Sequence, residues 1–341
     1  MEHTQIPDVA IPASRIGLGT WAMGGVQWGG TDDDESVRTI HAALDRGVTL
    51  IDTAPAYGFG HSEAVVGRAL AERGGRDRVV IATKVGLERH GDALYRNSTR
   101  RQIFAEVDES LRRLQTDYLD IYQVHWPDFA TPYEETAQAM LDLQRAGKIR
   151  AIGVSNYSIE AMERFRAVAP LAVAQPPLNL FERDAQVDII PWCRAHGVAT
   201  LTYGALCRGL LSGGIDETTR FEGDDLRKTD PKFLPPRCAQ YLKAVELLER
   251  FAHERYGKSV LALAIRWVLD QPGVSVALWG ARHPGDLAPV DDVMGWTLDD
   301  EALGYIDAVV AESVRDPVGP EFMAPPERGP DRPSEPPGAP A

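Results

Sequence analysis

Eight short apolar runs recur along this chain, and their number constrains its fold more than any other feature. They are Ser14–Gly19, Val48–Asp52, Val79–Lys84, Leu119–His125, Ile149–Ser155, Ala172–Pro176, Val198–Tyr203 and Val274–Trp279. Buried strands of a parallel sheet read this way because both of their faces are covered. Most segments between the runs carry apolar residues at helical spacing, bounded by helix-start and helix-stop residues. The first helix shows Val37, Ile40 and Leu44 on one face and stops at Gly47. The third is expected to start at Ser98, with Ile103, Val107, Leu111 and Leu114 turned inward, and the fourth to open on Thr131, Pro132 and Glu134 as a capping box and close at Gly147. Eight alternations without a break predict closure into a (β/α)8 TIM barrel, because open doubly wound sheets more often have about five or six strands and a reversal of strand order.

Residues 1–315 are expected to form this one barrel. Cys207 to about Gln240 interrupts the rhythm after the seventh run, and so long a loop in a compact domain is usually functional. The tail, 316–341, holds nine of the 24 prolines, which excludes a helix or a central strand and predicts an extended segment, disordered at its very end. Phe322 and Met323 are its only large apolar side chains, which leaves open that its first part lies across the barrel.

Charge narrows the function classes. The chain carries 36 basic and 50 acidic residues, a formal net charge of −14, with no basic arm to displace phosphate counterions, so a nucleic-acid partner is not expected. It shows no apolar run of transmembrane length and no charged-then-apolar leader, which predicts a soluble protein without a membrane partner. Cys193, Cys207 and Cys238 are three widely spaced thiols without a CxxC pair, as in a reducing, cytoplasmic compartment.

Several motifs fail on context. Gly17-Leu18-Gly19-Thr20-Trp21-Ala22 matches a dinucleotide fingerprint, but a glycine-rich loop follows it where a helix N-terminus is required. Gly257-Lys258-Ser259 resembles the end of a phosphate-binding loop, yet Ala252 stands where its first glycine belongs. The eight histidines form no HxH or HExxH pair, so no metal site is expected. His41 reads as a packing residue on a helix face, and Ser98, within the sequon Asn97-Ser98-Thr99, reads as a helix cap.

Active sites of such barrels sit at the C-terminal ends of the strands. There the runs deliver Asp52, Lys84 and His125, with Tyr57 five residues after Asp52. A phenol is a poor proton donor or acceptor at neutral pH, but an ammonium within reach favours the phenolate and would draw its pKa toward the working range. Lys84 would do that, Asp52 would neutralise the buried ammonium, and His125 would orient a substrate carbonyl. Such a set suits proton donation to a carbonyl oxygen while hydride reaches the carbon. Any one of the four could be a solvated loop residue or a structural ion pair; a tyrosine and a lysine meeting at the mouth with an aspartate have little structural reason to assemble.

In order and setting, Asp52, Tyr57, Lys84 and His125 resemble the catalytic tetrad of the aldo-keto reductases. The strings Leu50-Ile51-Asp52-Thr53-Ala54-Pro55-Ala56-Tyr57-Gly58 and Ile152-Gly153-Val154-Ser155-Asn156-Tyr157 are similar to signature segments of that family, and the likeness covers roughly residues 10–315. It implies a reductase of aldehydes and ketones, with Tyr57 as general acid and NADPH as the hydride donor. It also implies that Ser155, Asn156 and Gln175 hold the nicotinamide carboxamide, that Tyr203 stacks on the ring, and that Gly204, Leu206 and Arg208 neighbour the pyrophosphate. Gly280, Ala281 and Arg282 correspond to the segment that binds the adenosine 2′-phosphate, and a guanidinium suits a phosphate there. Asp286 and Val290 depart from the family's usual residues at the adenine contacts. Trp21, Trp28 and Trp126 fall in loops at the same mouth and are candidates to wall an apolar carbonyl pocket. Cys207 reads as a packing residue.

Two other classes compete with this reading. A cofactor-binding regulatory subunit like the potassium-channel β subunits would share the fold and tetrad, but would need an exposed apolar face or an extra N-terminal segment. A barrel isomerase or hydrolase acting on a phosphorylated ligand would not need Tyr57 and Lys84 together.

Overall fold

The computed structural model describes residues 1–328. All eight expected strands form: β1 Ile16–Gly19, β2 Leu50–Asp52, β3 Val80–Val85, β4 Leu119–Val124, β5 Ile149–Ser155, β6 Val173–Gln175, β7 Ala199–Thr202 and β8 Val276–Gly280. They pair in parallel in chain order, and β8 closes on β1 through Ala277 beside Ile16 and Gly280 beside Gly19. Around them run α1 Asp33–Asp45, α2 His61–Arg73, α3 Arg100–Leu114, α4 Tyr133–Arg145, α5 Ile159–Arg166, α6 Ile189–Ala195, α7 Arg237–Tyr256, α8 Val260–Asp270, the single turn α9 Val290–Val293, and α10 Asp300–Ser313. None of the described helices is long and apolar enough to cross a membrane.

Alternation along each strand sorts side chains into two cores. Leu50, Val80, Ala82, Ile121, Val173, Leu201 and Val276 fill the barrel, while Ile51, Ile81, Tyr122 and Ile152 face the helices. Ile6 and Val9, beside a short N-terminal hairpin of His3–Thr4 with Ala13–Ser14, belong to the interior cluster. The interior is a packed core, as the barrel architecture requires.

Two helix starts differ from expectation. Thr99, not Ser98, caps α3 by accepting from Gln102 N, and Ser98 Oγ is buried without a partner. Thr131 does not cap α4; its hydroxyl donates to Asp128 at 2.7 Å and Pro132 takes the cap position. At Thr131 a nearby carboxylate outcompetes the backbone for the hydroxyl, and at α3 the adjacent threonine holds the cap. Elsewhere local chemistry decides: Ser259, from the rejected phosphate-loop match, caps α8, and His41 Nε2 lies 2.8 Å from the Ala69 carbonyl, packing α1 against α2.

Three insertions cover the mouth. Between β3 and α3 is a hairpin, Leu87–His90 with Ala93–Arg96, that the sequence reading missed. The excursion after β7 turns through short 3-10 segments and reaches the glycine-rich loop after β1, where Asp224 accepts from Gln27 N and Gly29 N, and Leu226 N donates to Gln27 O. The first part of the tail crosses the mouth, held by Arg96. That side chain donates to the Pro325 and Pro127 carbonyls and pairs with Glu327, while Arg96 N donates to Pro326 O. The expected disorder at the end of the tail concerns 329–341, outside the described residues.

Gly58 sets how closely the β2–α2 loop approaches the glycine-rich loop. It has a φ of 63°, and a Cβ built on it would lie 2.1 Å from Gly24 O. Gly58→Ala is therefore expected to lower unfolding free energy by about 2–4 kcal/mol, from backbone strain plus overpacking. Gly257→Ala, in the left-handed helical region at φ 63° and ψ 29° with open space around it, should cost about 1 kcal/mol. Urea titration of both variants checks the difference; equal losses would show that Gly24 yields freely.

Candidate active site

A polar layer caps the apolar barrel interior. Two residues beyond Leu50 stands Asp52, beyond Ala82 stands Lys84, beyond Ile121 stands Gln123, and beyond Val173 stands Gln175, each following an inward-facing residue. Thr20 N and Oγ1 both donate to the Asp52 carbonyl, and Ser62 Oγ ties Thr20 to Thr53 at the start of α2. This hydroxyl knot fixes the end of β2, from which a turn closed by Tyr57 N to Ala54 O presents the phenol.

The four expected residues converge. Lys84 Nζ donates to Asp52 Oδ1 at 2.6 Å and to the Thr53 carbonyl at 3.1 Å, and lies 3.1 Å from Tyr57 OH, which accounts for all three of its hydrogens. Asp52 and Lys84 are almost completely buried. The His125 ring meets Tyr57 edge-on at 5.8 Å, and Trp21 stacks on the other side of the phenol at 6.0 Å.

Burial governs the proton affinities. It pushes the Tyr57 phenol above its ordinary value; the Lys84 ammonium works against this without overcoming it, and the charge of Asp52 reinforces it. Lys84 thus lowers the Tyr57 pKa as expected, but the net shift is upward, because desolvation of the phenolate outweighs one ammonium already engaged by a carboxylate. Burial alone would discharge Lys84, but Asp52 and then Tyr57 more than offset it and its pKa rises. His125 falls well below the ordinary histidine value through burial and the nearby ammonium, so its imidazole is neutral.

Tyr57 and His125 open onto a cavity of about 430 Å³, which Ser155, Asn156, Gln175, Tyr203, Trp21 and Trp126 also line. Tyr203 OH donates to Asn156 Oδ1 at 2.9 Å, Asn156 Nδ2 donates to the His125 carbonyl at 3.0 Å, and Ser155 Oγ donates to the Gln175 carbonyl at 2.8 Å. The tail supplies Phe322, Met323 and Pro325, so its first part does lie across the barrel, and the hairpin supplies Leu87 and Leu94, which the sequence reading did not place there. Trp28 does not line the cavity; it packs edge-on against Trp21 with the Arg227 guanidinium over its ring.

In the loop after β7, the Arg208 guanidinium turns inward to Glu182 and Asp230, and Lys232 completes a buried cluster of two cations and two anions. Its side chain is therefore committed, and only the backbone of Gly204, Leu206 and Arg208 is left to meet a ligand. Cys207 is buried beside this cluster, and burial lifts its thiol to about 12, as fits a packing residue. Asp286 accepts from Arg282 N and His283 N, so its carboxylate caps the turn after β8. Gly280 is exposed, Ala281 is buried, and the Arg282 guanidinium donates to the Trp28 and Gly30 carbonyls at 3.0 and 2.7 Å.

Among known proteins, residues 15–311 match the Aldo/keto reductase family. The chain is 58% identical over 328 residues to the aldo-keto reductase YhdN of Bacillus subtilis, covering 96% of this chain and 99% of that protein. It is 36% identical over 301 residues to the NADH-specific methylglyoxal reductase of Escherichia coli, covering 83% and 90%. The solved structure of the glycerol dehydrogenase AKR11B4 from Gluconobacter oxydans superposes with a TM-score of 0.85 at 52% identity, covering 94% of this chain and 99% of that one.

Removing one member of the buried pair strands the other. Lys84→Met is expected to lower unfolding free energy by about 3–5 kcal/mol, and the double variant Asp52→Leu/Lys84→Met to recover much of that loss. Urea denaturation of the single and double variants measures it; additive losses would show that the two charges do not depend on each other.

Proposed function

The chain belongs to the aldo/keto reductase family, and from that premise we propose that it reduces aldehyde or ketone carbonyls to alcohols with NADPH, using Tyr57 as general acid. The observation that carries this reading is the Tyr57 hydroxyl, exposed to the cavity on one side and 3.1 Å from a buried, carboxylate-paired ammonium on the other.

The phenol's raised pKa keeps its proton in place at neutral pH, as a donor requires. Neutral His125 can donate one hydrogen bond to a carbonyl oxygen and so sets its direction toward the Tyr57 hydroxyl. As the carbonyl carbon is reduced, its oxygen takes the Tyr57 proton, and the Lys84 ammonium stabilises the phenolate left behind. Trp21, Trp126, Phe322 and Met323 exclude water around an apolar substrate.

The residues present fit a nicotinamide cofactor. Ser155, Asn156 and Gln175 group polar atoms beside the phenol, and Tyr203 offers its ring at the same wall. When bound there, the reduced nicotinamide supplies the hydride. Arg282 supports NADPH: two of its five donors are taken by loop carbonyls, which leaves three for a 2′-phosphate while holding the guanidinium in place. Since one relative is named for NADH specificity, the preference is the part of this reading most in need of measurement.

Three results are expected. Tyr57→Phe should lower kcat for an aldehyde panel, followed by NADPH absorbance, by about 10²- to 10⁴-fold, and rates equal to wild type would remove the general-acid role. Arg282→Ala should raise the Kd for NADPH about tenfold or more, while the Kd for NADH changes less than about twofold, both read by fluorescence titration; a uniform change would exclude a 2′-phosphate contact. Because His125 is already neutral, the pH profile of reduction should be flat through the ordinary histidine value of 6.5, and a step there would assign it a charged form.

A further inference from the structure

Lys84 uses only one oxygen of Asp52. Toward the other, Oδ2, point two side-chain amides from across the barrel: Gln175 Nε2 at 2.8 Å and Gln123 Nε2 at 3.4 Å. Gln123 Oε1 lies 3.4 Å from Gln175 Nε2, so the two amides and the carboxylate form a closed set. Gln175 also lines the cavity, whereas Gln123 is fully buried beneath it.

The barrel makes room for Gln123. In the strand register it stands between Lys84 on β3 and Gly153 on β5. A Cβ on residue 153 would come within 2.7 Å of Gln123 Cγ, so this glycine leaves the space that the glutamine fills. An apolar side chain of similar volume would suit an interior position without the desolvation cost of an amide. What the amide adds is a donor toward Asp52 and an acceptor that aims Gln175 at the same oxygen.

We propose that Gln123 is a positioning residue for proton transfer: it holds the second oxygen of Asp52 directly and through Gln175, withdrawing carboxylate charge from the Tyr57 side of the ion pair. Its effect on turnover rests on the reading of Tyr57 as general acid, but the arrangement can be tested without turnover.

The sign follows from the groups that face the phenol. Lys84 and Asp52 lie beneath it, His125 meets its edge, and Tyr203 approaches from β7. His125 is neutral and the Tyr203 phenol is pushed up by burial, which leaves Lys84 and Asp52 as the charges acting on Tyr57. Asp52 raises the phenol's proton affinity and Lys84 lowers it. Removing a donor from Asp52 leaves more of its charge acting on Tyr57 and shifts the phenol's titration to higher pH.

The test uses Gln123→Met, which keeps volume and removes the donor, and Gln123→Leu, which removes it with a branched apolar side chain. Carbon-13 labelling of tyrosine Cζ reports the titration of Tyr57 in the cofactor-free protein, the resonance being assigned by its loss in Tyr57→Phe. Both variants should titrate at a pH higher by about 0.5 or more. In turnover, the limb of alcohol oxidation that requires the phenolate should move by the same amount. Oxidation at neutral pH then falls about threefold or more, while carbonyl reduction stays within about twofold. An unmoved Tyr57 resonance in both variants would overturn the proposal, as would an equal fall in both directions with an unmoved limb, which marks a packing residue. Absence of turnover in the wild type would count against the enzymatic reading, and the resonance would still decide the placement.

Discussion

The polar floor at the mouth of this barrel depends on one buried contact, the Lys84 ammonium on the Asp52 carboxylate at 2.6 Å. Either charge alone would be expelled from so apolar an interior or neutralised by a shifted pKa. Together they form a fixed dipole whose positive end touches a phenol. The pair does not turn Tyr57 into a phenolate, because desolvation of the phenol is the larger effect. It makes the loss of the Tyr57 proton less costly than burial alone would, while leaving that proton in place at neutral pH. That behaviour fits the donor role proposed for Tyr57 better than a standing phenolate would.

The contact forms where it does because of strand alternation. Leu50 and Asp52 share the inner face of β2, as Ala82 and Lys84 share that of β3, so the chain can fill a barrel with hydrocarbon and cap it with charge by changing one residue in each strand. Parallel closure then brings those residues to the same end. The fold and the tetrad are therefore consequences of one pattern, which explains why both were readable from local sequence. Asp52, Lys84 and His125 each end an apolar run, and the runs themselves define the barrel.

The same pattern held information that went unread. Gln123 stands two residues beyond Ile121, a polar residue at an inward position of a central strand, and that alone marks it as part of the cap. What could not be read locally was any contact whose partners lie far apart in sequence. Ser98 and Thr131 mislead for a nearer reason: several hydroxyls and a carboxylate lie within a few residues of each helix start, and Thr99 takes the cap of α3 beside Ser98 while Asp128, three residues back, claims Thr131. Nor could local sequence show where the Arg208 side chain goes: it answers Glu182, 26 positions earlier, and Asp230, 22 positions later. Trp28, expected in the pocket, instead supports Trp21 from behind.

The walls of the cavity are built on a different principle from its floor. The floor is set by strand register, but the walls belong to the hairpin, the excursion and the tail, which are joined by charge. Arg96 binds the hairpin to the tail through Glu327 and the Pro325 and Pro326 carbonyls, and Lys232 binds the excursion to the tail through the Gly319 carbonyl. Arg208 lies with its guanidinium 5.5 Å from the ring of Phe322, a cavity residue. The buried charge cluster after β7 and the apolar face of the pocket are thus two sides of one assembly, so a substitution at Glu182 or Asp230 acts on the pocket wall without touching a substrate. The ionic contacts that shape the walls are separate from the Asp52–Lys84 pair in the floor, so the walls can vary without disturbing that pair.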